Sequence, residues 1–111
     1  MNDEQVQRKA RNEALFRNLN EQINRFESDD RADVSERIDF VCECSSAGCL
    51  KVVSVSRAEY EAIREGASTF VVVPGHEDPS IEDVLVSHSE FSVVEKRGQA
   101  AELAAETDPR E

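Results

Sequence analysis

All three cysteines of this 111-residue chain lie within eight positions, in the pattern C-x-C-x4-C formed by Cys42, Cys44 and Cys49. Thiolates are strong ligands for zinc, which prefers four ligands in a tetrahedral arrangement. Gly48, directly before Cys49, is typical of a sharp turn that wraps ligands around an ion. The pattern therefore predicts a zinc knuckle, and this constrains the fold more than any other feature of the sequence.

Three cysteines leave one position of a tetrahedral site open, and His76 is the best candidate to fill it. His76 follows Pro74 and Gly75, which predict a rigid turn at the end of a strand. Such a turn can hold a side chain out towards a neighbouring strand. His88, Glu77 and water are the alternatives for the fourth position. A site closed by three thiolates and one imidazole would be structural, since it leaves no position for substrate.

Free or redox-active thiols and an iron–sulfur cluster are the alternatives to a zinc site. Buried cysteines often act as small core residues, but these three lie beside Glu43, Ser45 and Gly48 in a predicted turn. Glu43, between two of the predicted ligands, is expected to be a solvated side chain without a catalytic role. We expect the three cysteines and His76 to bind Zn²⁺.

The compact body that carries these residues is expected to be small. Segments 27–37 and 97–111 are polar and acidic. We expect the first to be a mobile acidic linker and the second to be a disordered or frayed tail. A zinc-binding domain over residues 38–96 would then be of the size at which a metal or a disulfide often supplements the hydrophobic core.

An apolar stripe at helical spacing predicts an amphipathic helix within residues 1–26. The stripe consists of Leu15, Leu19, Ile23 and Phe26, extended by Val6 and Phe16. Such a stripe either packs on the chain's own domain or binds a partner protein or a second copy of the chain. The periodicity fits both alternatives.

The rest of the chain alternates short strand patterns with turn signals, which predicts an α+β fold. Strands are predicted at 38–41, 50–55, 69–73, 82–87 and 91–95. Segment 69–73 is apolar on both faces, as expected of a central strand. Ser56 and Glu59 form a predicted capping box that begins a helix over 57–65. The expected fold is an N-terminal amphipathic helix followed by a small, mainly antiparallel sheet with one short helix, stapled by the zinc knuckle.

The formal net charge of −11 restricts the possible partners. Segment 39–96 contains eleven acidic and four basic residues, the opposite of the basic surface that binds phosphates. We therefore expect binding to neither nucleic acid nor membrane. The sequence contains no apolar run that could span a bilayer and no signal-peptide pattern, which predicts a cytoplasmic protein. The expected partner is another protein, or a second copy bound through the N-terminal helix.

The order of motifs resembles that of a family of small bacterial proteins for which no activity is established. The resemblance rests on NEALFR at 12–17, FVCEC at 40–44 followed by Cys49, FVV at 70–72 and PGH at 74–76. The resemblance implies the expected fold and the metal site, but it does not indicate a function.

No catalytic motif is recognisable in the sequence. We therefore expect a non-enzymatic protein-interaction or regulatory module with a structural zinc site. A redox-responsive zinc-thiolate switch is the alternative, and an enzyme whose zinc keeps a bound water is a third hypothesis.

Overall fold

The computed structural model describes residues 3–29, 35–46 and 48–110, and the predicted α+β class is confirmed within them. These residues form three helices and five strands: α1 (Asp3–Asp29), β1 (Arg37–Val41), β2 (Val52–Ser56), α2 (Arg57–Ile63), β3 (Thr69–Val72), β4 (Glu82–Ser87), β5 (Ser92–Lys96) and α3 (Gly98–Glu106). The strands are divided between two antiparallel sheets instead of one.

β1 and β2 form a hairpin whose loop contains the three cysteines, with Phe40 opposite Val53. The second sheet has the order β3-β5-β4. The prediction that segment 69–73 is a central strand is wrong, because β3 lies at the end of this sheet. It is nevertheless covered on both faces, and the chain after β1 runs along its outer edge. There the Glu43 amide donates to the Val71 carbonyl at 2.8 Å.

The two larger apolar clusters of the core lie on either side of β3, and a third, smaller cluster contains Val6, Ile81 and Ala100. Val71 faces a cluster that contains the stacked rings of Phe40 and Tyr60, whose centroids are 4.4 Å apart. The other face of β3 packs against a cluster that contains Cys42 and Cys44. Because side chains alternate along a strand, the apolar run of β3 supplies both clusters, and two of the predicted ligands belong to the core.

The predicted capping box begins α2. The Ser56 hydroxyl accepts the Glu59 amide at 3.0 Å, and the Glu59 carboxylate accepts the Ser56 amide at 2.8 Å. The helix ends at Ile63, two residues earlier than predicted. Tyr60 and Ile63 are buried, so α2 lies against the sheets and closes the first core cluster.

α1 packs on the body through its polar side. The buried positions are Val6, Ala10, Glu13, Arg17, Asn20, Glu21 and Asn24. Three residues of the predicted apolar stripe lie on the opposite side, where Leu15 is 65%, Leu19 43% and Phe26 70% exposed, whereas Val6 is buried and Ile23 packs half-buried against the first core cluster. The alternative in which this stripe packs on the chain's own domain is therefore wrong for these three residues.

Hydrogen bonds explain why the polar side of α1 is buried. The Arg17 guanidinium lies 4.7 Å from the centre of the Phe70 ring and donates to the carbonyls of Ala67 at 2.7 Å and Ala104 at 2.8 Å. Such carbonyls, at a loop and near a helix end, lack partners within their own elements and need a donor when they are buried. Leucine or phenylalanine at the Arg17 position could not supply one.

The prediction of a disordered or frayed tail over 97–111 is wrong for 98–106, which form α3. The small side chains of this alanine-rich helix allow it to approach α1 and β5 closely, and two of its alanines are buried. Beyond α3, Asp108 pairs with Arg64, and Arg110 Nη2 lies 2.7 Å from Glu21 Oε1. Ion pairs to α1 and to the residue that follows α2 thus hold residues 108 and 110 against the body.

The predicted acidic linker over 27–37 is shorter than expected at both ends. α1 continues to Asp29 and β1 begins at Arg37, while residues 30–34 lie outside the described residues. Within the described ranges, no helix combines the length and the apolar character needed to cross a membrane.

Candidate metal centre

The structure brings all four predicted ligands together. The ligand atoms of Cys42, Cys44, Cys49 and His76 lie within 4.8 Å of one another. Nδ1 of His76 is 3.6 Å from the sulfur atoms of both Cys42 and Cys49. Zinc bonds of about 2.3 Å to sulfur and about 2.0 Å to nitrogen, at tetrahedral angles, place a sulfur and a nitrogen ligand about 3.6 Å apart. The four side chains can therefore hold one metal ion.

The knuckle is formed by backbone hydrogen bonds that keep its two ends close. Cys42 follows β1 directly, and its amide donates to the Lys51 carbonyl at 3.0 Å. On the other side of the loop, the Cys49 amide donates to the Ser46 carbonyl at 3.1 Å. The β1–β2 hairpin and this turn hold the first and third cysteines on one side of the loop.

His76 is placed by a tight turn after β3, as the sequence predicts. Its amide donates to the Val73 carbonyl at 2.9 Å, which closes a four-residue turn. Pro74 occupies the second position, and Gly75, with φ of 93°, occupies the third. This is the residue order of a type II turn, in which only the third position needs a positive φ. The turn directs the half-buried imidazole towards the knuckle.

Two opposing effects act on the thiols of the knuckle. Cys42 and Cys44 are buried, and burial raises the pKa of both thiols. The Val73 amide donates to the Cys42 sulfur at 3.2 Å, an interaction that favours a thiolate. A bound dication deprotonates coordinating thiols, so binding would release protons and would weaken at acidic pH.

The alternative fourth ligands lie elsewhere. His88 is exposed, and its ring stacks 4.4 Å from that of Phe91. The Glu77 carboxylate accepts the Gly75 amide at 3.0 Å and supports the turn. Among the described residues, the group of possible ligands around the knuckle contains neither of them. With four protein ligands, a tetrahedral site has no open position for water or substrate.

Glu43 is buried and not solvated, so the prediction for this side chain is wrong. Its carboxylate accepts three hydrogen bonds, from the Val71 amide at 3.0 Å, Asn20 Nδ2 at 2.8 Å and the Tyr60 hydroxyl at 3.2 Å. Burial raises the pKa of Glu43, and the bonds from Asn20 and Val71 oppose that shift. The side chain connects the knuckle to three other elements, and it is not among the possible metal ligands that the described residues form at the knuckle.

α1 also supports both halves of the site, which the sequence analysis missed. Asn12 Nδ2 donates to the Ser45 carbonyl in the knuckle at 3.0 Å. Lys9 pairs with Asp78, which follows the histidine turn and accepts the Ser45 hydroxyl at 3.4 Å. The signal that could have revealed this role is the second, polar stripe of α1, whose members also recur at helical spacing.

No known protein family, curated protein or solved structure matches the chain. The resemblance to a family of small bacterial proteins therefore stays a prediction, and a function has to be argued from the geometry of the site.

Proposed function

We propose that the protein is a non-enzymatic zinc module in which one Zn²⁺ stabilises the fold. The observation that supports this most directly is the 3.6 Å spacing between His76 Nδ1 and the sulfur atoms of Cys42 and Cys49. Thiolates and an imidazole in tetrahedral arrangement are the ligand set typical of structural zinc. Thiolate ligands need a reducing compartment, and we assign the protein to the cytoplasm.

The ion would act as a cross-link between the two sheets. The cysteines belong to the loop of the β1–β2 hairpin, and His76 belongs to the turn that follows β3 of the other sheet. Structural zinc contributes on the order of 10 kcal/mol or more to the folding of small domains, while a domain of this size has a net stability of about 5–15 kcal/mol. Removal of the ion should therefore loosen or unfold the protein.

Metal analysis of wild type, His76→Ala and His88→Ala tests this proposal. We expect one zinc per chain in wild type and in His88→Ala, a large loss of zinc affinity in His76→Ala, and a lower melting temperature of wild type in EDTA. His88 is the matched control because it is the other histidine and lies at an exposed position. Unchanged zinc affinity in His76→Ala would contradict the ligand assignment, and an unchanged melting temperature after chelation would contradict the structural role.

A redox-responsive switch is a second candidate, favoured by the exposure of one ligand. Cys49 is half-buried, whereas Cys42 and Cys44 are buried. Peroxide would oxidise the Cys49 thiolate and a second ligand thiolate to a disulfide. The two electrons that the thiolates lose, together with two protons, reduce one molecule of hydrogen peroxide to two waters. The zinc ion is released because two of its ligands are lost. Peroxide should then release zinc into a colorimetric chelator, and a thiol reductant should restore binding. Zinc retained under mild peroxide would exclude this role.

A further inference from the structure

We propose that α1 pairs with α1 of a second copy of the chain in an antiparallel, two-fold symmetric dimer. The surface that carries this proposal is the apolar stripe of Leu15, Leu19 and Phe26. These residues are 65%, 43% and 70% exposed, respectively. A helix on a globular domain normally turns its apolar side inwards. α1 uses its opposite side for that contact, and the described residues of the chain leave these three side chains uncovered.

The same surface contains a groove beside the stripe. It lies between α1 and α3, has a volume of about 480 Å³ and is lined on its apolar side by Ala10, Ala14, Leu15 and Leu103. Phe26 protrudes from the C-terminal half of α1, twelve residues from Ala14, or about 18 Å along the helix axis. One copy thus presents a large aromatic side chain and, on the same side, a groove that could receive one.

A two-fold axis close to Leu19 satisfies both features at once. Antiparallel helices that cross at this position place Phe26 of each copy near the partner's groove, and they place the two copies of Leu19 against each other. A two-fold interface uses the same patch on both chains and must be complementary to itself. Along α1, the protruding Phe26 and the groove lie on opposite sides of Leu19 and at similar distances from it. A patch with this arrangement is complementary to itself.

The charges along α1 favour the antiparallel direction. Arg8 and Arg11 are exposed in the N-terminal half. The last turn contains no basic residue, and it carries the negative end of the helix dipole. An axis at Leu19 brings the arginine-containing half of each α1 level with the C-terminal half of the partner's α1. A parallel pair would instead place each of the exposed Arg8, Arg11 and Arg25 beside the same residue of the partner.

The size of the stripe indicates a reversible dimer. A helix of 27 residues is about 40 Å long and presents a face about 10 Å wide, which gives about 400 Å² per chain and about 800 Å² for the pair. Stable interfaces bury about 1,200–2,000 Å² in total. Filling the two grooves adds area to the helix contact, so we expect a dissociation constant in the micromolar range.

Sedimentation equilibrium of the zinc-loaded full chain, over a wide concentration range, tests the proposal. We expect the mass to rise from that of a 12.4 kDa monomer towards twice this value. Leu19→Glu should abolish the rise, because it places two carboxylates at the axis. Leu85→Glu, at a 52% exposed leucine of β4, is the matched control and should dimerise like wild type.

Removal of one positive charge tests the direction of the helices. Arg11→Gln should weaken an antiparallel dimer, because Arg11 then no longer attracts the negative end of the partner's helix, whereas it would strengthen a parallel dimer, in which the two copies of Arg11 repel each other. A wild type that stays monomeric at all concentrations, a dimer that survives Leu19→Glu, or a dimer lost in Leu85→Glu would overturn the proposal. A dimer that becomes tighter in Arg11→Gln would overturn the antiparallel arrangement. Zinc content, measured on each variant, separates these outcomes from those of the metal proposal.

Discussion

Glu43 and Val71 are joined by two hydrogen bonds that run in opposite directions. The Glu43 amide donates to the Val71 carbonyl at 2.8 Å, and the Val71 amide donates to the Glu43 carboxylate at 3.0 Å. Asn20 and Tyr60 donate to the second carboxylate oxygen. A residue between two candidate metal ligands thus connects the knuckle to α1, α2 and β3. The candidate metal centre is therefore supported by a buried polar network in addition to any bound ion.

Glu43→Gln should destabilise the protein by about 2–3 kcal/mol. All three groups around the carboxylate are donors, and a carboxylate accepts from each of them. Glutamine would direct its own amide hydrogens towards one of these donors. Two buried donors would then face each other without an acceptor between them. Urea unfolding measures the loss, with Glu95→Gln at an exposed position of β5 as a control that should change little. Equal stability of the two variants would show that the folded protein does not need the ionised carboxylate.

Asn20→Ala should destabilise the protein more than Leu19→Ala, its neighbour on α1. The Asn20 side chain accepts the Val41 amide and donates to the Val41 carbonyl and to the Glu43 carboxylate, each at 2.8 Å. Its removal leaves these buried groups without partners and should cost about 3 kcal/mol.

Leu19 is 43% exposed, so its truncation in the monomer should cost less than about 1 kcal/mol. Urea unfolding at low protein concentration keeps dimerisation out of the comparison. The reverse ranking would mean that α1 is held by its apolar stripe after all.

The parts of the structure that the sequence predicted depend on residues close to one another in the chain. The capping box at Ser56, the turn at Pro74 and the C-x-C-x4-C pattern each carry their signal within a few positions. The contact between the knuckle and His76 was predictable because thiolates and an imidazole in one small domain suggest a shared ion.

The orientation of α1 was not predictable in this way. Hydrophobic periodicity shows which residues share a face, and burial usually follows the apolar face. In α1 a second stripe, which contains Glu13, Arg17 and Asn20, has the same spacing, and its partners are distant in sequence. Glu43 was misassigned for the same reason, since its three donors come from α1, α2 and β3.

Gly75→Ala should weaken zinc binding, whereas Gly98→Ala should not. Both glycines have positive φ, 93° and 55°, and at neither position would a Cβ atom meet another group. Backbone strain is therefore the main effect of each substitution, at about 1–2 kcal/mol. Gly75 sets the turn that holds His76, while Gly98 begins α3.

Competition with a chelator of known zinc affinity checks this prediction, and thermal unfolding shows whether both variants lose stability. If the two variants bind zinc equally well, the turn does not control the position of His76.

The buried cluster of Glu13, Glu82 and Lys96 should make stability depend on pH. Two carboxylates face one ammonium group, and the three side chains are buried. Burial raises the pKa of Glu13 to about 7; Lys96 opposes the shift, and the charges of Glu82 and Asp78 add to it. The folded state therefore binds a proton at Glu13 more tightly than the unfolded state, where the pKa is 4.5.

Because the folded pKa is the higher one, the contribution of Glu13 to stability is fully present below pH 4.5 and is lost as the pH rises through 7. Between pH 5 and 7.5, wild type should lose about 2 kcal/mol relative to Glu13→Gln, which has no proton to release at this position. Urea unfolding of both proteins at several pH values gives this difference, in which proton effects at the metal ligands cancel. The proposal would be contradicted if the stability difference between wild type and Glu13→Gln did not change with pH, or if it grew in favour of wild type as the pH rises. Either result would show that Lys96 keeps Glu13 ionised throughout.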